Sequence, residues 1–85
     1  MIITYHKNFT KKYKRLFLKQ KTKLDERIVL FENDEFNSTL NNHALTGRYK
    51  GYRSINVAGD LRAVFMRMEK EVIFVDIDSH SNLYG

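Results

Sequence analysis

The second half of the chain consists of three short strand-like segments, and this pattern constrains the fold more than any other feature. Residues 52–58, 61–68 and 71–77 are rich in the β-branched and aromatic side chains that favour extended backbone. The tight polar pairs Gly59-Asp60 and Glu69-Lys70 separate them, and turns this short join neighbouring antiparallel strands. The pattern therefore predicts a meander of three antiparallel strands.

Two of these segments also predict which side chains are buried. Successive residues of a strand point to opposite sides, so Arg53, Ile55 and Val57 are expected on one side of the first segment. The third segment contains the unbroken apolar run Val72-Ile73-Phe74-Val75. Such a run is typical of a central strand that is covered on both faces.

The first half of the chain has the period of a helical hairpin. After a β-prone start at residues 1–5 and a helix N-cap expected at Asn8, apolar residues recur with spacing i, i+4, i+7 and i+8. These residues are Phe9, Tyr13, Leu16 and Phe17. A break near Lys21-Thr22 is expected to precede a second helix with Thr22 as its N-cap. Its apolar stripe consists of Leu24, Ile28 and Phe31.

Together these elements predict one α+β domain over residues 1–85. The element order is β-α-α-β-β-β, and the N-terminal helical hairpin packs on one face of a mostly antiparallel sheet in two layers. The polar segment 33–42 is expected to be a loop that Phe36 and Leu40 fasten to the core. Residues 78–85 are interpreted as a polar tail.

The composition excludes several classes of protein. The chain has no cysteine, so it has no disulfide, thiolate zinc site or thiol nucleophile, and this fits a cytoplasmic location. No apolar run approaches the roughly 20 residues that span a bilayer, and the start at Met1 does not have the pattern of a signal peptide. Glycine-rich phosphate loops are absent, so we expect no small-molecule cofactor.

Positive charge is concentrated at the N-terminus. Residues 1–24 contain eight Lys and Arg and no acid, within a net charge of +5. A solvated helix face, nucleic-acid phosphates or an acidic partner protein would each account for this cluster. A membrane surface is a weaker explanation, because the apolar residues of the first helix are needed in the core.

Five residues of the second half carry groups that could cleave RNA without a metal. They are His43, Asp60, Arg62, His80 and Tyr84. Cleavage by the RNA's own 2′-hydroxyl needs a base, an acid and a cation at the phosphate. Histidine can act as acid or base near neutral pH, arginine matches phosphate geometry, and a tyrosine ring can stack on a base.

Each of these residues also has a plain structural interpretation. A turn residue such as Asp60 usually satisfies nearby backbone N–H groups, and Tyr84 could anchor the C-terminus. Arg62 could pair with Asp76 across neighbouring strands. Asp76 and Asp78 share one strand face at i, i+2, but no spacing enforces metal geometry, so we expect no metal site.

Two segments resemble the RelE/ParE superfamily of toxin–antitoxin toxins, and in particular its YafQ-type and RelE/StbE-type messenger-RNA interferases. They are "NHALTGRYKGYRSINVAGDLRAVF" at residues 42–65 and "DSHSNLYG" at residues 78–85. These are similar to the patterns H-x-L-x-G-x-x-x-G-Y-R…G-D-x-R and G-T-H-x-x-L-[FY]. The resemblance covers nearly the whole chain. It implies an endoribonuclease that cuts messenger RNA on the ribosome, and a cognate antitoxin that wraps the toxin.

By motif position, the resemblance assigns roles to the candidate residues. The resemblance implies that His43 and Asp60 abstract a proton from the 2′-hydroxyl or orient it. It implies that His80 is the general acid. Arg62 is implied at the phosphate, and Tyr84 at the base. Further contacts to messenger or ribosomal RNA are expected from basic side chains. These are Arg53, Lys50, Arg48, Lys11, Lys14 and Arg15.

The chain departs from the family pattern at four positions. Asn56 stands where a histidine can occur, Leu61 replaces a common tryptophan, and Asp76 and Asp78 replace an arginine and a glycine. Two acids near a phosphate site would repel RNA unless Arg62 or Arg53 neutralises them. Two alternatives therefore stay open: a ParE-like toxin that inhibits DNA gyrase without catalysis, and an inactive homologue that only binds its antitoxin.

Overall fold

The computed structural model of the chain describes residues 1–84, except for the side chain of Tyr84. It contains five strands and three helices within that range. These are β1 (Ile2–Tyr5), α1 (Lys7–Lys14), α2 (Leu18–Asn33), β2 (His43–Ala44), β3 (Arg53–Ala58), β4 (Leu61–Arg67), β5 (Glu71–Ser79) and α3 (His80–Tyr84). Two single 3₁₀ turns, Ser38–Leu40 and Gly47–Tyr49, flank β2. No helix in the described range is long and apolar enough to cross a membrane.

The strands form one sheet in the order β1-β5-β4-β3-β2. Strand β1 is parallel to β5, and every other neighbouring pair is antiparallel. The predicted meander is β3-β4-β5, and Gly59 turns the chain between β3 and β4 with a φ of 54°, which glycine adopts without strain. The α+β class and the mostly antiparallel sheet are thus confirmed.

Aromatic rings join the helices to the sheet. Phe31 of α2 is completely buried and meets the edges of Phe65 and Phe74, with ring centroids 4.9 Å and 5.6 Å away. Phe9 of α1 packs 5.6 Å from Phe74. Leu24, also fully buried, completes the inner stripe of α2. The core therefore lies between the helical hairpin and one face of the sheet.

A β-bulge in β5 changes the direction of its last residues. Phe65 pairs with Phe74, but the next residue of β4, Val64, pairs with Asp76, so Val75 has no partner of its own. The extra residue places both Phe74 and Ile77 on the core side. Asp76 consequently points to the opposite face, together with Asp78.

The helical hairpin is confirmed, but its predicted break and caps were wrong. The chain turns at residues 15–17, and Thr22 lies inside α2. The N-cap of α1 is His6, whose Nδ1 accepts from the backbone N–H of Asn8 at 3.1 Å. At the start of α2, Oε1 of Gln20 accepts a hydrogen bond of 3.0 Å from the backbone N–H of Phe17. The break between the helices lies earlier than predicted because Phe17, which is 77% exposed, is not needed in the core.

Three further expectations need correction. Strand β2 forms where no strand was predicted, because its backbone pairs with β3. Helix α3 forms in the segment that was interpreted as a tail, because the N–H of His80 bonds to Asp60 in the turn between β3 and β4. Leu40 is buried as expected, but Phe36 is 67% exposed and does not fasten the loop. Ile73 and Val75 are only half-buried, so β5 is interior in the sheet without being covered fully on both faces.

We expect Phe31→Ala to lower the free energy of unfolding by about 3–5 kcal/mol, because it removes a buried ring and leaves a cavity. The matched control Phe17→Ala changes an exposed ring and should cost less than about 1 kcal/mol. Denaturant unfolding followed by circular dichroism measures both values. Equal losses in the two variants would contradict the position of the core.

Candidate active site

The face of the sheet opposite the core carries two of the candidate catalytic residues, His43 and Arg62. Strand register places Asn56, Arg62 and Asp78 in one row across β3, β4 and β5. The adjacent row places His43, Ser54, Val64 and Asp76 across β2 to β5. Side chains in register share a face, so these two rows lie on one side of the sheet, which we call the polar face; Ser54, Val64 and Asp76 in it are buried.

Three predicted residues meet at one corner of the polar face. The backbone N–H of His80 donates to the carbonyl of Asp60 at 2.7 Å, which joins the start of α3 to the β3–β4 turn. Arg62 bends toward the same turn, and its Nη1 donates to the carbonyl of Gly59 at 2.8 Å and to that of Leu61 at 3.1 Å. His80 and Asp60 are both exposed. The corner thus joins the backbones of His80 and Asp60 and places the guanidinium of Arg62 on the same turn.

His43 lies at the far end of the polar face from this corner. Its Nδ1 is 2.8 Å from the carbonyl oxygen of Asn41. Three inter-strand spacings separate it from Asp76 in the same row, a distance of about 14 Å. The structure therefore does not bring His43 next to His80, and an RNA strand touching both would have to cross the sheet.

The two aspartates of β5 are paired with Lys12 and not with the expected Arg62 or Arg53. Asp76 is 8% exposed, and its Oδ1 accepts from Lys12 Nζ at 2.8 Å, from Asn8 Nδ2 at 3.3 Å and from the N–H of Ile77 at 2.8 Å. Its Oδ2 accepts from the Tyr49 hydroxyl at 3.1 Å. The suggested pairing of Arg62 with Asp76 was wrong, because Val64 and not Arg62 stands opposite Asp76.

Asp78 is held by a second set of contacts. Its Oδ1 accepts from Asn82 Nδ2 and from the N–H of Ser79, both at 2.8 Å, and its Oδ2 lies 3.7 Å from Lys12 Nζ. Burial works to raise the pKa of Asp78, but these hydrogen bonds and the charges of Lys12 and Arg48 outweigh it and lower the pKa.

The same contacts act on the lysine. Burial works to lower the pKa of Lys12, and the bond and charge of Asp76 together with the charge of Asp78 raise it. Lys12 thus remains a cation between two carboxylates, and it offsets part of the repulsion that the two acids would otherwise exert on RNA.

Sequence reasoning missed Lys12 and Tyr49 as parts of the site. Lys12 looked like any other member of the basic cluster, and only its spacing of four from Asn8 places both on one helix face. Tyr49 belongs to a segment without periodicity, so no sequence signal pointed to its partner.

The remaining predicted RNA contacts fall into two groups. Arg48 and Lys50 are exposed around the 3₁₀ turn Gly47–Tyr49, and Arg48 Nη2 donates to the carbonyl of Asn82 at 3.4 Å. Arg53 instead faces the core side, where its Nε donates to Asn42 Oδ1 at 2.8 Å.

Helix α1 presents a separate basic surface. Lys11, Lys14 and Arg15 are all exposed there. The predicted contact from Tyr84 lies outside the described side chains. No group of three or more His, Asp or Glu that could hold a metal ion occurs within the described part of the chain.

A five-stranded sheet of this topology, with a helical hairpin on one face, is the fold of the RelE/ParE superfamily of toxins, to which the chain belongs. Within it, the chain belongs to the family described as "bacterial toxin of type II toxin-antitoxin system, YafQ", whose family model matches residues 1–85.

Solved structures share the whole fold. YafQ from E. coli strain BL21(DE3) is 27% identical with a TM-score of 0.76, over 98% of this chain and 97% of that one. A copper-bound mutant toxin from Helicobacter pylori is 25% identical with a TM-score of 0.78, over 99% of both. The E. coli DinJ-YafQ complex matches at 26% identity and a TM-score of 0.73, over 98% and 97%. No curated protein sequence matches the chain significantly.

We expect Lys12→Met to lower the free energy of unfolding by about 1–3 kcal/mol, because it leaves the nearly buried carboxylate of Asp76 without its cation. The neighbouring, exposed Lys11→Met is the matched control and should be close to neutral. Chemical denaturation of both variants measures the difference. A Lys12→Met variant as stable as Lys11→Met would show that the contact contributes nothing.

We also expect Asp78→Asn to be less stable than the wild type at neutral pH, by an amount that shrinks in acid. Because the folded protein lowers the pKa of Asp78 below its ordinary 3.8, the ionised carboxyl stabilises the fold above that value. This stabilisation is lost as the pH falls through the lower, folded pKa. Thermal melts of both proteins between pH 7 and about pH 2 measure the gap, and a constant gap would contradict the assignment.

Proposed function

We propose that this toxin is a ribosome-dependent endoribonuclease that cuts messenger RNA without a metal. The observation that carries the proposal is the corner of the polar face, where the backbone bond of 2.7 Å between His80 and Asp60 joins two segments that also hold Arg62. From this bond we infer that the side chains of His80, Asp60 and Arg62 act on one phosphate, with two groups that transfer protons and one permanent cation.

In the proposed reaction the 2′-oxygen of the RNA attacks the adjacent phosphorus. Asp60 orients the 2′-hydroxyl or takes its proton, and the bond from phosphorus to the 5′-oxygen breaks. His80 donates a proton to that leaving oxygen, so the products are a 2′,3′-cyclic phosphate and a 5′-hydroxyl. Arg62 stabilises the charge that builds up on the phosphate oxygens, which is often the largest contribution to catalysis.

His43, Arg48 and Lys50 are proposed to bind the RNA strand along the rest of the polar face, and Tyr84 to contact a base. We propose that the exposed basic surface of α1, at Lys11, Lys14 and Arg15, contacts ribosomal RNA. Phosphate contacts of this kind position a protein on RNA without reading its sequence. Arg53 would act by holding the loop at Asn42 in place.

We further propose an antitoxin as the protein partner, in the cytoplasm. The E. coli DinJ-YafQ structure is a toxin-antitoxin complex of a related toxin. Large apolar side chains lie exposed on and beside α2, including Phe17, Leu18 and Val29, at 57–79% exposure. An amphipathic antitoxin segment could bury these residues.

The test is induced expression in a bacterial host, followed by primer extension on one message in translated and untranslated forms. We expect growth arrest and new 5′ ends only on the translated form. His80→Ala and Arg62→Ala should each reduce cleavage by at least about a hundredfold, because each removes a group that acts in the transition state.

His6→Asn is the matched histidine control, because asparagine keeps a helix N-cap at that position, and it should leave cleavage unchanged. Melting temperatures show whether each variant is folded. Full toxicity of folded His80→Ala and Arg62→Ala would defeat the assignment. Growth arrest with intact messages would instead indicate a gyrase-type inhibitor, and no arrest would indicate an inactive toxin.

A further inference from the structure

The 3₁₀ turn Gly47–Tyr49 holds two adjacent side chains against each other. The guanidinium carbon of Arg48 lies 5.0 Å from the ring centroid of Tyr49, within the range of a cation–π contact. Arg48 Nη2 also donates to the carbonyl of Asn82 in α3 at 3.4 Å. The exposed guanidinium is therefore fixed between the Tyr49 ring and the helix that begins at His80.

Tyr49 itself is anchored from below. Its hydroxyl donates to Asp76 Oδ2 at 3.1 Å. Burial, together with the bond and charge of Asp76, raises the pKa of Tyr49, so the phenol remains a donor across the physiological range. Asp76 cannot turn away from it, because Oδ1 is occupied by Lys12 and by the N–H of Ile77, both at 2.8 Å.

The other end of Arg48 is anchored to the same strand. The Asn82 side chain donates to Asp78 Oδ1 at 2.8 Å, and Lys12 Nζ lies 3.7 Å from Asp78 Oδ2. The contacts thus form a closed ring, which consists of Lys12, Asp76, Tyr49, Arg48, Asn82 and Asp78. Rotation of Arg48 away from α3 would break this ring.

We propose that Tyr49 is a positioning residue, which holds Arg48 beside α3 so that its guanidinium binds an RNA phosphate next to the one being cut. The inference rests on the proposed function and deepens it. Nη1 of Arg62 already donates to carbonyls of the β3–β4 turn. Arg48 would therefore supply a second guanidinium for binding RNA phosphates. A guanidinium fixed in advance loses less rotamer freedom when it binds a phosphate.

The test is a double-mutant cycle on the cleavage rate of a ribosome-bound message at saturating toxin. Tyr49→Phe keeps the ring under Arg48 but removes the bond to Asp76, and we expect cleavage to slow by about tenfold. Arg48→Ala should slow it at least as much. If Tyr49 acts through Arg48, the double variant is no slower than Arg48→Ala alone, within about twofold. Effects that multiply would overturn the proposal.

Tyr52→Phe is the matched control. Its ring meets the edge of the Tyr49 ring at 6.2 Å between centroids, so the substitution removes a hydroxyl from the same aromatic pair. We expect no change in cleavage. A loss equal to that of Tyr49→Phe would reveal a general packing effect and would also overturn the proposal.

A second measurement needs no nuclease activity. Side-chain ¹⁵N relaxation of the Arg48 Nε–H group in the free toxin should show an ordered guanidinium in the wild type and a mobile one in Tyr49→Phe. An equally ordered Arg48 guanidinium in both proteins would overturn the proposal that Tyr49 holds it in place. If the wild type cuts no message, both the proposed nuclease activity and the use of Arg48 in cleavage are overturned. The relaxation data then decide separately whether Tyr49 orders Arg48.

Discussion

One extra residue in β5 determines which way the two aspartates of that strand point. In a regular ladder, Phe74 opposite Phe65 would place Asp76 opposite Ala63, inside the apolar core. A buried carboxylate without partners is very costly there. The bulge at Val75 turns Asp76 and Asp78 to the opposite face, where donors reach them, and it lets Ile77 fill the core instead. The core and the polar face both depend on this single insertion.

Once Asp76 points outward, it connects two distant segments to β5. Its four donors come from α1, from the 3₁₀ turn before β3 and from β5 itself. A nearly buried carboxylate is stable only with such partners, so these segments are drawn to one place. Asp76 and Asp78 were expected to repel RNA. Asp76 instead positions two basic side chains, Lys12 directly and Arg48 through Tyr49.

Local patterns were enough for most of the fold, and long-range contacts decided what they missed. The β3–β4 turn follows from Gly59, and the buried stripe of α2 follows from the spacing of Leu24 and Phe31, because both signals lie within a few residues. Strand β2 and helix α3 depend on backbone pairing with residues far along the chain. Of the candidate site, Asp60, Arg62 and His80 meet at one corner, whereas His43 and Arg53 lie elsewhere.

The sequence by itself determined the α+β class, the helical hairpin, the meander and the family motifs, because periodicity and turn residues act over short distances. It also determined that the chain has a net charge of +5, which favours binding to a polyanion. Only the tertiary structure decided which of the many basic residues are paired and which are exposed. Lys12 and Lys11 are neighbours in sequence, yet one is bound to Asp76 and the other is open to solvent. The reason is that a helix turns by about 100° per residue, so adjacent side chains face different surroundings once the helix is packed.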